Sequence, residues 1–272
     1  MTRSALVTGA ARRLGREIAL RLADSGHFVF AHYRSSRREA EGLLAEIRAR
    51  GGDGALVAGD LATAKGATAV VRAVEKALGP AGRLHVLVNN VGVYKVGPLL
   101  RFSPDDFDAV LRANLTGSWR LIHGLLPRMP RGAGIVNIGY AGVESLTGTP
   151  HNTAYLISKT GLLILTKSLA QALGPRGIRA NMVSPGILSN SVELPRKPAD
   201  FVPLGTLGET ADVADAVEYL LGAKAKYVTG VNLDVAGGYN LGLRSLDTAA
   251  PRKGGPRVAT TPRSTKRPRS KS

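Results

Sequence analysis

The chain has 272 residues, 44% of them hydrophobic, and a mean hydropathy of +0.01, which excludes a polar disordered polymer and fits one globular α/β domain with a tail. Zero cysteines exclude a disulfide framework, a Cys-ligated zinc and a thiol nucleophile; no apolar run approaches the roughly 18 to 20 residues that span a bilayer, and the N-terminus lacks a signal peptide's apolar stretch, so a cytoplasmic protein with no membrane partner is expected. The formal charge is +17, of which residues 244–272, with nine Lys/Arg and one Asp, carry +8; the remaining +9 on residues 1–243 steers anionic ligands such as phosphates or acyl-thioester carriers towards the body.

Apolar strand-like runs alternate with segments of helical period, the pattern of successive βα units around a parallel sheet. In chain order the reading is a strand Ser4–Val7, a helix from about Leu14 to Ser25, a strand Phe28–Tyr33, and a helix from about Arg38 to Arg50 that stops at Gly51-Gly52. A strand Ala55–Ala58, a helix from about Ala67 to Leu78, and a strand Leu84–Asn89 follow. Next come one long helix from about Pro104 to Met129, a strand Gly134–Ile138, and a helix from about Thr153 to Leu173. A strand Arg179–Val183, a short helix from about Ala211 to Leu221 and a last strand Val231–Val235 complete it. The runs LHVLVNN and GIVNI are near-continuously apolar, as strands buried on both faces should be. This predicts a single Rossmann-type doubly wound domain over residues 1–243, a seven-stranded parallel sheet with helices on both faces. Residues 244–272, rich in Pro, Gly, Ser, Thr and positive charge, are expected to be a disordered basic tail.

The first strand runs through ALVTG into AARRLGREIA, so a Gly-containing turn meets a helix N-terminus whose free N–H groups suit a pyrophosphate. Gly9 permits the turn and Gly15 close helix-to-strand packing, with Arg12, Arg13 and Leu14 between them. The second strand ends in HYRSS. A Rossmann protein that prefers NAD usually has an acid there. Here Tyr33 is followed by Arg34, Ser35 and Ser36, which suit a 2′-phosphate, so the expected cofactor is NADP(H). His32, His85, His123 and His151 show no metal-ligand spacing and His27 precedes a strand; all five are read as packing or surface residues, and no metal is expected.

From Thr8 to about Gly238 the chain resembles the short-chain dehydrogenase/reductase family. Thr8-Gly9 to Gly15 is similar to its glycine motif, Asp60-Leu61 to its adenine-contacting pair, Asn89-Asn90-Val91-Gly92 to its NNAG motif, and Asn114 to its structural-catalytic asparagine. Tyr155 and Lys159 match its YxxxK motif, and Pro185-Gly186, leading into Ile187, the turn beside the nicotinamide. The resemblance implies a homotetramer built on the helices around Asn114 and Tyr155. Two departures stand out. Arg13 replaces the middle glycine, and TGAARRLG with HYRSS is similar to the pteridine reductase branch. In IVNIGYAG the family's substrate-holding serine aligns with Tyr140, or with Gly139 or Ser145 if the gap is shifted.

Tyr155 and Lys159 stand one helical turn apart and share a face. A phenol has an ordinary pKa of about 10, and a nearby ammonium is expected to lower it, fitting the pair to proton transfer near neutrality. The family role implied is protonation of a carbonyl or imine by Tyr155 as hydride arrives, with Lys159 also holding the nicotinamide ribose, Asn114 holding a relay water and Tyr140 contributing to catalysis. Substrate choice is assigned to the loops Gly139–Asn152 and Leu188–Phe201. The leading expectation is a reductase of the 3-oxoacyl-carrier-protein type. A pteridine reductase is the alternative, although the aspartate that branch carries at the serine position is missing. A third reading is an NADP(H)-sensing or nucleic-acid-associated protein that uses Arg263–Lys271 for salt-sensitive phosphate contacts, without interleaved aromatics or a recognisable reading module.

Overall fold

The apolar runs become strands and the amphipathic segments helices in the computed structural model, which describes residues 3–191, 194 and 196–241. The strands are β1 (Arg3–Val7), β2 (His27–Tyr33), β3 (Gly54–Ala58), β4 (Val86–Asn89), β5 (Gly134–Ile138), β6 (Arg179–Pro185) and β7 (Asn232–Val235). The helices are α1 (Arg13–Asp24), α2 (Arg37–Ala49), α3 (Ala64–Leu78), α4 (Pro104–Leu111), α5 (Gly117–Leu125), α6 (Thr153–Leu173) and α7 (Thr210–Leu221). No described helix is long and apolar enough to cross a membrane. The boundary expected at residue 243 and the basic tail lie outside the described residues.

All seven strands pair in parallel in the order β3-β2-β1-β4-β5-β6-β7. The chain winds outward from β1 to β3, then crosses to β4 and winds the other way. Its direction therefore reverses between β1 and β4, where a crevice opens at the carboxyl ends of the strands. Successive strand residues face opposite sides: Ala5 and Val7 pack with Ile18 and Leu22 of α1, Leu43 and Ile47 of α2, and Val213, Val217 and Leu220 of α7. Leu6, Phe30, Leu87 and Ile135 pack on the other side with Val70 and Val74 of α3, Leu121 and Leu125 of α5, and Leu169 and Leu173 of α6. The result is three layers, helices–sheet–helices.

Three departures from the sequence reading have local causes. The long helix expected over Pro104–Met129 contains a π-turn at Arg112–Thr116 and ends in a 3₁₀ turn at Leu126–Arg128. α3 begins three residues earlier than expected because Thr63 caps it, its Oγ1 accepting from Gly66 N–H at 3.0 Å. β6 runs on to Pro185 because residues 182–185 pair with β7.

A polar chain crosses the core beneath β4 and β5. Asn89 Nδ2 donates to Asn137 Oδ1 at 2.8 Å, and Asn137 Nδ2 donates to Thr166 Oγ1 at 2.8 Å. All three residues are buried, so each bond replaces water that cannot enter. We predict that Asn137→Ala, by stranding the Asn89 amide, lowers unfolding free energy by about 1–3 kcal/mol in urea denaturation; a loss below about 0.5 kcal/mol would contradict this role.

Candidate active site

A cleft of about 440 Å³ lies at the switch between β1 and β4. Gly9, Arg12, Arg13, Leu14, Gly15, Tyr33, Arg34, Ser35, Ser36, Asp60, Leu61, Asn90, Val91 and Gly92, all expected at a nucleotide, line it. Ala11, His32, Gly59, Ala62, Val93 and Ala113 line it as well and were not anticipated. Of these His32 is polar, and its place at the end of β2 beside Tyr33 was the available signal. Tyr155, Lys159, Pro185, Gly186 and Ile187 do not line the cleft, but its inner end meets Lys159: a Cβ on Gly92 would lie 3.4 Å from Lys159 Nζ.

The turn after β1 is built for close approach. Gly9 has φ +64°, and a Cβ on Gly15 would stand 2.2 Å from the Gly9 carbonyl oxygen. Thr8 Oγ1 accepts from Asn90 N–H at 2.8 Å and Val91 N–H at 3.0 Å, and Asn90 Nδ2 donates to the Thr8 carbonyl at 2.9 Å. The glycine turn and the NNVG segment are thus fastened to each other. α1 has no side-chain cap and no acid in its first turn, which leaves its N–H groups and dipole facing the cleft. Arg12 pairs with Glu39, whereas Arg13 and Arg34 have no acidic partner among the described residues. Asp60 Oδ1 accepts from Ala62 N–H at 3.0 Å and shapes the turn that follows β3. A cleft with these amides, two uncompensated guanidinium groups and two serines fits a dinucleotide with an extra phosphate.

Beyond the cleft, Tyr155 and Lys159 lie on one face of α6. Lys159 is 2% exposed, donates to the Ile138 carbonyl at 2.6 Å and sits 5.7 Å from the Tyr155 ring centroid. Burial pulls its amine down to about 8. Tyr155 departs from expectation. Its phenol is pushed above the ordinary tyrosine value by burial and by Tyr140 and Tyr94, while the Lys159 ammonium donates to the Ile138 carbonyl. The neutral phenol is therefore the resting state, the form that donates a proton.

Tyr140 is the residue that faces Tyr155, with ring centroids 5.9 Å apart at 81°. Gly139 has no room for a side chain, since a Cβ would fall 2.2 Å from Ser184 Oγ, and Ser145 is exposed. Burial, with Tyr239 and Tyr94 alongside, pushes the Tyr140 phenol up to about 12, so it too is a hydrogen-bond donor. Tyr94 packs edge-on against Tyr155 at 4.9 Å and 89° and was not singled out by the sequence reading. Asn114 is fully buried in the π-turn. Its Oδ1 accepts from Val93 N–H at 2.7 Å, and its Nδ2 donates to the Val93 carbonyl and to Ser158 Oγ, each at 3.0 Å. This side chain fixes the connection after Gly92, with both its amide hydrogens committed to protein acceptors. The end of β6 is tied to β7 and to the loop after β5: Gly186 N–H donates to the Val235 carbonyl at 2.9 Å, and Ala141 N–H donates to the Pro185 carbonyl at 3.0 Å. Ile187 continues it, its carbonyl accepting from Gly208 N–H at 3.1 Å.

A family model described as enoyl-(acyl carrier protein) reductase matches residues 9–240. The 3-oxoacyl-[acyl-carrier-protein] reductase of Staphylococcus aureus is 36% identical over 244 residues, 88% of this chain and 98% of that protein. A crystal structure of a short-chain dehydrogenase from Burkholderia cenocepacia in complex with NADP superposes with a TM-score of 0.80 at 30% identity, covering 88% of this chain and 98% of the other. The ketoreductase LanV with bound NADP and rabelomycin gives 0.82 at 30%, covering 88% and 97%.

Arg13 has φ +50°, in the left-handed region where a side chain strains the backbone. Arg13→Gly is predicted to leave stability unchanged or raise it by up to about 1 kcal/mol while weakening NADPH binding several-fold. Thermal melts and nucleotide titration check both halves. A destabilised variant, or one with undiminished affinity, would contradict the assignment.

Proposed function

This chain belongs to the short-chain dehydrogenase/reductase family, and from that we propose how its own residues carry out the reduction of a carbonyl of the 3-oxoacyl thioester type. It is an NADP(H)-dependent oxidoreductase acting on C=O and CH–OH groups. The observation that carries the residue assignment is the meeting of Gly92, at the inner end of the cleft, with Lys159, one turn from Tyr155. A nucleotide seated along the cleft would end at the Tyr155–Lys159 pair.

Gly9, Gly15 and the α1 N-terminus would take the pyrophosphate, and Arg13, Arg34, Ser35 and Ser36 the 2′-phosphate. Asp60 and Leu61 would hold the adenine end; Asn90, Val91, Gly92 and Pro185–Ile187 the nicotinamide end. Held there, the nicotinamide would supply the hydride equivalent that a carbonyl carbon needs. Tyr155, neutral at rest, gives its proton to the carbonyl oxygen. Lys159 stabilises the phenolate left behind, and Tyr140 adds a hydrogen bond to the same oxygen. Support for the thioester class comes from the Staphylococcus aureus relative and from the basic body, which attracts acidic carriers. The pteridine alternative rests on Arg13 and the HYRSS motif at the end of β2, without the aspartate that branch carries at the serine position.

Tyr155→Phe is expected to lower kcat for NADPH-driven reduction of an acetoacetyl thioester by about 100-fold or more, with NADPH affinity nearly intact. An active variant would remove Tyr155 from the chemistry, and dihydrobiopterin turnover exceeding that of the thioester would favour the pteridine reading. Lys159 loses its charge as pH rises through about 8, while Tyr155 stays protonated. The rate of reduction should therefore fall on the alkaline side of that value, with the limb displaced upward in Lys159→Arg; a wild-type profile flat to about pH 9.5 would contradict the role.

A further inference from the structure

His32 lies at the carboxyl end of β2, is 1% exposed and lines the nucleotide cleft, yet no step of the reduction uses it. Its ring is held between two backbone groups that belong to different strand ends. Nδ1 accepts from Gly9 N–H at 3.1 Å, and Nε2 lies 2.9 Å from the Gly59 carbonyl. A carbonyl only accepts, so Nε2 must carry the proton and Nδ1 the lone pair, a neutral imidazole in one tautomer. The His32 main chain adds a third tie, its carbonyl accepting from Ala10 N–H at 2.8 Å. On the far side, Gly59 opens the turn that carries Asp60 and Leu61, and Gly59 N–H donates to the Tyr33 carbonyl at 3.2 Å.

We propose that His32 is a positioning residue for the nucleotide: by bridging Gly9 and Gly59 it sets the spacing between the turn after β1 and the turn after β3, and only its neutral form does so. The proposal rests on the NADP(H) reading of the cleft. Gly9 is at φ +64°, so its N–H direction is not fixed by helix or sheet and depends on the acceptor it finds. A protonated imidazole would place a second donor against that N–H, and the turn would have to move. Of the charged and titratable groups that line the cleft with His32, namely Asp60 after β3, Arg12 and Arg13 where α1 begins, Tyr33 at the last position of β2 and Arg34 just beyond it, Asp60 acts on the ring. Burial keeps the imidazole below its ordinary range, against the Gly59 bond and Asp60, which favour the cation. Acidification below the usual histidine range therefore opens the bridge, and nucleotide affinity falls with it.

The test is NADPH titration by nucleotide fluorescence from about pH 8 to about pH 5.5 on wild type, His32→Asn and His32→Leu, with hydrogen exchange of the Gly9 amide followed in nucleotide-free protein. His32→Leu should weaken NADPH roughly tenfold or more at neutral pH and speed Gly9 exchange. His32→Asn, whose side-chain oxygen can replace Nδ1 as acceptor, should stay within about threefold of wild type at neutral pH and show a smaller acid-side loss. The 2′-phosphate titrates alike in all three proteins, so the difference between them isolates His32. Wild-type affinity and exchange in His32→Leu, or an acid-side loss in His32→Asn equal to wild type, would overturn the proposal. If His32→Leu does not fold, the His32→Asn comparison decides. A wild type that binds no NADPH would overturn the cofactor reading instead, and Gly9 exchange would then judge the bridge alone.

Discussion

The nucleotide end of this protein depends on one close approach, that of α1 to the end of β1. A single methyl group on Gly15 would stand 2.2 Å from the Gly9 carbonyl oxygen and 2.5 Å from Asn90 Nδ2, distances no carbon tolerates. Because that space is empty of side chain, the helix N-terminus can point into the crevice at the sheet's switch point. Thr8 and Asn90 then tie the end of β1 to the segment after β4, whose Gly92 borders Lys159 of α6. Arg13 pays with a strained backbone for a cation at the place where a glycine would sit at ease.

At the catalytic end the governing fact is burial. Lys159 is buried, with the Ile138 carbonyl as its hydrogen-bond partner, and burial lowers its proton affinity; Tyr155 is half-buried against Tyr94 and Tyr140, and desolvation with those neighbours raises its own. The two shifts act in opposite senses on the pair. They leave a protonated phenol beside an ammonium that is itself close to losing its proton, an arrangement suited to donating to a carbonyl that is gaining hydride. The extra edge-on tyrosines make the surroundings of this phenol more aromatic than a serine at position 140 would.

Much of this was legible beforehand because it rests on residue types that only a few backbone arrangements accept. Buried parallel strands must be apolar on both faces, so Leu84–Asn89 and Gly134–Ile138 announced themselves, and the glycines at 9 and 15 are required by space and φ. Fourteen of the expected cofactor residues meet in one cleft for the same reason. The π-turn at Arg112–Thr116 was not legible, since one extra residue in a helical turn leaves the apolar pattern almost unchanged. Nor was His32: its partners lie 23 and 27 residues away, and a histidine in a strand reads as packing until those partners are placed. The direction of the Tyr155 shift escaped because spacing of one turn says that two residues share a face, not that burial and the tyrosines alongside will raise the phenol.

The central claim is that this cleft delivers hydride to a carbonyl next to Tyr155. The most direct measurement is a single-turnover reaction with NADPH deuterated at the transferring carbon of its nicotinamide and an acetoacetyl thioester, with the product read by mass spectrometry. The account predicts one deuterium on the newly formed carbinol carbon. NADPH consumed with no label in the product, or label exchanged into solvent, would contradict it.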